Sequence, residues 1–453
     1  MCHGGDDSNL MRVFFREVVT SARGKLTSEE RKSLPAVLFL QGGPGFECAG
    51  PLEASGWLGE MVKEHRVFLM DQRGTGRSDS EIVMPTRHRD ASEDPGPSML
   101  SYPMYWTDRN VSPAKAWAVH LKNFRADSIV KDAELFRKTV LGEDVKWTLL
   151  GQSFGGFCIT TYLSFAPEGV KEALLTGGLP PLINESASAL NAYRKLFERV
   201  QTQNKKYFER FPKDADRVYA LYVQLDKKGP QRLPGGGSLT IPLVRALGFS
   251  NLGTAQGMER LHYMMQYIEI DYAKTLLGDE EIVGAYLPHK FLIEVENSFR
   301  HFETNPLYAV LHEAIYCNGA CAIGAADQVW RERVGEDDSL RRAFTGECIY
   351  SSFFEHIPSL RPFKAIVQEL KKDNDWPKLY DTAQLAKNTV PVACASYVED
   401  MFVDFDLAAE TAAKIRGARV WSTSEYMHSG IREDGARIVQ KLLSIVRDED
   451  PIR

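Results

Sequence analysis

The chain lacks any run approaching the roughly 18 consecutive apolar residues that a membrane-spanning helix requires, so no segment reads as an integral membrane anchor. It also lacks a basic run. Acidic residues number 61 against 55 lysines and arginines, and the formal net charge of -6 gives no footing to a nucleic-acid backbone. Metal-ligand spacing is missing too: the seven cysteines, Cys2, Cys48, Cys158, Cys317, Cys321, Cys348 and Cys394, are scattered and odd in number. Cys317 and Cys321 stand close together without a second Cys/His pair beside them, so neither a metal nor another cofactor is expected. The first ten residues carry neither the basic start nor the apolar core of a secretory leader. Reduced thiols and a cytoplasmic setting follow as expectations, and homo-oligomerisation is left open.

At 453 residues the chain exceeds one simple core, and size alone favours two or three domains. Short apolar runs at 35–40, 65–70, 146–150 and 173–176 read as buried strands, with 11–19 alternating as an edge strand would. Pro85, Pro95, Pro97 and Pro103 mark a long connection. Helical periodicity over 114–138 turns Phe124, Ile129, Leu135 and Phe136 inward and Arg125, Asp127, Lys131 and Asp132 outward. From 184 to 388 the pattern is mainly amphipathic helix, broken at Gly235-Gly236-Gly237. Buried-strand composition returns at 390–398, followed by a helix at 407–416, a strand at 418–421 and a last helix at 431–447. The expected fold is therefore α/β: a mostly parallel sheet with helices on both faces and a large inserted helical cap. Residues 1–183 and 389–453 would form the discontinuous sheet domain, and 184–388 the cap.

Chemistry concentrates at strand ends. Gly151-Gln152-Ser153-Phe154-Gly155 has the G-x-S-x-G spacing of a nucleophile elbow between a strand and a helix, where flanking glycines leave room for a tight strand-to-helix turn. Gln41-Gly42-Gly43-Pro44-Gly45 follows an earlier strand, and its bare backbone N–H groups suit an oxyanion loop. Asp71-Gln72-Arg73-Gly74-Thr75-Gly76-Arg77-Ser78 lacks the third glycine of a dinucleotide fingerprint; Asp71 and Arg73 are expected to hold the loop. A serine hydroxyl needs a base and an orienting acid, in chain order Ser, Asp or Glu, His. His428 is the only histidine after the helical segment and lies between the last strand and last helix. Glu399, Asp400, Asp404 and Asp406 crowd the loop after the returning strand; position favours Asp400, with Asp404 as the alternative.

These motifs together resemble the prolyl aminopeptidases, or proline iminopeptidases, of the α/β-hydrolase superfamily. The likeness rests on Gly42-Gly43-Pro44-Gly45, on the stretch from Asp71 to Ser78, on the elbow through Gly156, and on Asp400-Met401 and His428. His312-Glu313-Ala314-Ile315-Tyr316-Cys317 and Asp375-Trp376-Pro377 are similar to cap segments of longer members, so the likeness covers most of the chain. Two departures stand out: Gln41 where smaller members often carry His, and a short segment before the first strand where the family usually has another. The resemblance implies release of N-terminal proline from peptides with a free N-terminus. Ser153 would be nucleophile, His428 base and Asp400 its orienter, with the N–H groups of Gly43 and Phe154 as oxyanion hole. It implies that a cap carboxylate holds the substrate amine. Glu313 is the first candidate, ahead of Glu294, Glu296 and Glu355, and Tyr316 or Phe353-Phe354 would wall the proline ring. An esterase or amidase on small acyl substrates is the alternative, and a binding protein with an idle site stands behind both.

Overall fold

β1 (Phe14–Val18), β2 (Ala36–Leu40), β3 (Arg66–Asp71), β4 (Trp147–Gln152) and β5 (Val170–Thr176) alternate with helices in the first part of the chain. These assignments come from a computed structural model that describes residues 11–79, 103, 106–108, 110–182, 188–274, 280–336, 340 and 342–449. Residues 1–10, Pro85, Pro95, Pro97 and the expected boundary at 183–184 lie outside them. Two small antiparallel pairs come next, β6 (Gln231–Arg232) with β7 (Ser238–Leu239) and β8 (Glu269–Lys274) with β9 (Glu280–Tyr286). The segment expected to be helical therefore also contains strands. β10 (Val392–Tyr397) and β11 (Ala418–Thr423) then rejoin the first sheet.

Among the described residues the main sheet has seven strands in the order β1-β3-β2-β4-β5-β10-β11. Only β1 runs antiparallel, pairing Phe14 with Asp71 and Val18 with Val67 at the edge. The other strands pair in parallel, so each needs a crossover, and helices supply it. Every residue of β2 is buried, as a strand covered on both faces must be. Ala36, Leu38 and Leu40 face one core, packed beneath α1 (Pro113–Leu121), α2 (Ala126–Phe136) and α3 (Phe154–Phe165). Val37 and Phe39 face the other, under the helices Gly56–Met61 and Gly435–Val446.

The first core does not stop at the sheet. Tyr193, Leu196, Leu307 and Tyr308, from the chain between β5 and β10, join the same apolar cluster as Leu149 and Phe157. No helix among the described residues is long and apolar enough to cross a membrane.

Between α1 and α2, and along α2, the expected faces need correcting. Phe124 and Ile129 are buried, but Leu135 is 40% exposed while Arg125 and Asp132 are buried. Burial of the two charges has a local cause. Asp132 receives Nε and Nη2 of Arg73 at 2.5 and 2.7 Å, and Arg125 lies over the Trp376 ring and donates to the carbonyls of Cys317 and Pro377.

Candidate active site

β4 ends where the chain must reverse into α3, and Ser153 sits on that turn with φ 56° and ψ −124°. This is a sparsely populated conformation for a residue with a side chain, with a cost of about 1–3 kcal/mol. The glycines around it allow the close packing that keeps it so. A Cβ at Gly155 would collide with the carbonyl of Leu40, and one at Gly42 would come within 2.5 Å of Gln152 Oε1 and 3.2 Å of Ser153 Cβ. The loop after β2 thus lies directly against the elbow. Phe154 opens α3, so its backbone N–H belongs to the first turn, where no intrahelical acceptor exists.

β10 and β11 bring the other two side chains. His428 Nε2 lies 2.9 Å from Ser153 Oγ, and its Nδ1 lies 2.8 Å from Asp400 Oδ2. Asp400 is 1% exposed, and its second oxygen accepts the N–H groups of Phe402 at 2.7 Å and Val403 at 3.1 Å. The carboxylate is therefore held by backbone donors independently of the histidine. The Phe402 ring stacks on the imidazole at 4.5 Å. Asp404 instead caps the following helix Phe405–Lys414 through the N–H groups of Asp406 and Leu407, and Glu399 binds Lys206 and Gln203.

The loop after β3 is held as its charges suggest. Asp71 accepts from the backbone of Cys48 and Arg77, and Arg73 forms its fork on Asp132.

Ser153 and His428 open into a cavity of about 320 Å³, whose walls include Gly42, Gly43, Phe249, Tyr308 and Phe402. Among the described residues its wall carries one carboxylate, Glu347, and one guanidinium, Arg432.

The profile for the alpha/beta hydrolase fold matches residues 35–220. A proline iminopeptidase from Aeromonas sobria is 38% identical over 98% of this chain and 93% of its own length. The chain belongs to the proline iminopeptidase family. Its likeness to the proline iminopeptidase aneH of Aspergillus aculeatus is 30% over 98% of this chain and 91% of that one. Among solved structures, the alpha/beta hydrolase MGS-M2 from a Medee basin deep-sea metagenome covers 98% of this chain and 96% of its own, at 9% identity and TM-score 0.40.

In this proline iminopeptidase family member, Glu313, Tyr316 and Phe353 are not on the cavity wall. Glu313 is spoken for: its oxygens accept the backbone N–H of Gly324 at 2.6 Å and of Ala326 at 2.9 Å. Burial pushes its carboxyl up to about 7, the two backbone donors offsetting only part of that cost. Tyr316 and Phe353 are buried among aromatic neighbours, Phe157 and Tyr193 for the first and Phe299 and Phe302 for the second. Glu347, which the sequence reading missed, accepts the Tyr308 hydroxyl at 2.5 Å and stays half-buried at the cavity. A lone acid in the otherwise uncharged stretch Ala343-Phe344-Thr345-Gly346-Glu347-Cys348-Ile349-Tyr350 was the signal available.

Proposed function

We propose that this protein is a serine aminopeptidase that releases N-terminal proline from peptides. What carries the reading is one cavity that joins the Ser153–His428–Asp400 chain of hydrogen bonds to a carboxylate, Glu347. A protonated proline amine carried into a confined site needs an anion beside it, because burying an unpaired cation is costly. Glu347 meets that need, and the Tyr308 hydroxyl holds one of its oxygens in place. Names of relatives agree: both curated relatives are proline iminopeptidases.

In this mechanism His428 Nε2 takes the proton of Ser153 Oγ as the hydroxyl attacks the prolyl carbonyl. The backbone N–H groups of Gly43 and Phe154 receive the developing oxyanion. His428 then gives its proton to the leaving amine, and a water molecule, deprotonated by the same nitrogen, releases proline from the acyl-enzyme. Asp400 keeps the imidazole in the tautomer whose Nε2 can accept a proton. In this reading the described residues within 1–183 and 389–453 make up the sheet domain that carries this relay, and those within 184–388 a cap that supplies Glu347, Tyr308 and Phe249 to the cavity.

Three substrates test it: proline p-nitroanilide, its N-acetyl derivative and p-nitrophenyl acetate. Turnover of the first with loss of the second supports the aminopeptidase. Turnover of the acetate alone supports an esterase, and turnover of none by folded protein contradicts both.

A further inference from the structure

Arg432, on the short helix Gly430–Glu433 that follows His428, stands on the wall between two cavities. One is the catalytic cavity. The other, also about 320 Å³, lies behind Gln41 and Gln152 and is walled by Phe39, Trp57 and Leu58. Among the described residues Arg432 makes no ion pair, and its hydrogen bond, Nη2 to Gln152 Oε1, is long at 3.4 Å. Acids nearby are engaged elsewhere: Glu433 receives the Ser429 hydroxyl, and Glu53, on the second cavity, receives that of Ser55. The side chain is exposed to solvent, although the protein around it still desolvates the guanidinium in part and lowers its pKa. A guanidinium stays charged in proteins, so an anion entering the catalytic cavity meets a cation there that holds no carboxylate of its own.

Its position says which anion. Gln152 Nε2 lies 3.4 Å from His428 Nε2, the nitrogen that hands its proton to the leaving amine. Arg432 is thus one side chain removed from that proton donor. In a dipeptide, the leaving nitrogen is separated from the terminal carboxylate carbon by a single Cα. With the substrate carbonyl at Ser153, that carboxylate leaves from the side of the cavity where His428, Gln152 and Arg432 adjoin.

We propose that Arg432 binds the C-terminal carboxylate of the leaving residue, which makes Pro-X dipeptides the preferred substrates of this enzyme. The inference rests on the aminopeptidase reading. The cavity is bipolar, one acid at the amine end and one guanidinium at the leaving end, and complements a short zwitterion.

The test compares kcat/KM for Pro-Ala and Pro-Ala-amide, which differ only in the terminal charge. Wild-type enzyme should favour the free acid by about ten- to hundredfold, expressed mainly in KM. Arg432→Gln should bring the ratio near one, and Arg432→Lys should keep part of it. A wild-type ratio near one, or a ratio unchanged in Arg432→Gln, overturns the inference while leaving proline release intact. Failure of wild-type enzyme to release proline from either substrate removes the aminopeptidase reading and this inference with it.

Discussion

Asp400 shows how much one side chain decides. Three partners fix its carboxylate, two backbone N–H groups and His428 Nδ1, so the imidazole meets a preset acceptor. Asp400→Asn keeps the size of the group but presents an amide to the ring or to the two backbone donors. We expect kcat on proline p-nitroanilide to fall about 10⁴-fold with the fold retained by circular dichroism; a fall under tenfold would contradict the orienting role. In the proposed function Glu347 acts on binding instead. Glu347→Gln should raise KM for the same substrate by about thirtyfold or more, as expected when the anion facing a confined cation is lost. An unchanged KM would place the amine elsewhere.

At the scale of elements, the chain gives up some secrets and keeps others. The turn between β4 and α3 is legible because glycine spacing encodes a backbone shape that only small residues permit, and the shape is local. His428 and Asp400 are legible by chain order, since each follows a strand of the same sheet. Glu347 is not legible that way. Its place depends on how the long excursion between β5 and β10 folds back, and periodicity carries no record of that. Asp132 misleads for a related reason: on a helix it reads as a solvated charge until Arg73, from the loop after β3, arrives to pair with it. That pair ties α2 to the loop beside the site. Removing one partner leaves the other buried, so Asp132→Ala should lower unfolding free energy by about 3–5 kcal/mol, read from urea midpoints. A loss within about 0.5 kcal/mol would show the pair to be incidental.

Over the whole molecule, burial of Glu313 links stability to pH. Its carboxyl ordinarily titrates at 4.5 and is pushed up to about 7 in the folded protein. The folded state therefore holds this proton more tightly than the unfolded chain. Below about pH 4.5 the group costs nothing; the cost grows as pH rises to about 7 and stays constant above. The full span is about 3 kcal/mol at about 1.4 kcal/mol per pH unit. Comparing urea unfolding of wild type and Glu313→Gln at pH 5 and pH 8 should show the wild type losing more stability on going up in pH; parallel behaviour would assign the pH dependence elsewhere.

The account as a whole turns on Ser153 being the atom that attacks. Labelling with a fluorophosphonate, followed by peptide mass spectrometry and assay of proline p-nitroanilide turnover in the same samples, tests this most directly. The predicted result is a single adduct on the peptide carrying Ser153, with activity falling in proportion to its occupancy. Full activity with Ser153 fully modified would contradict it.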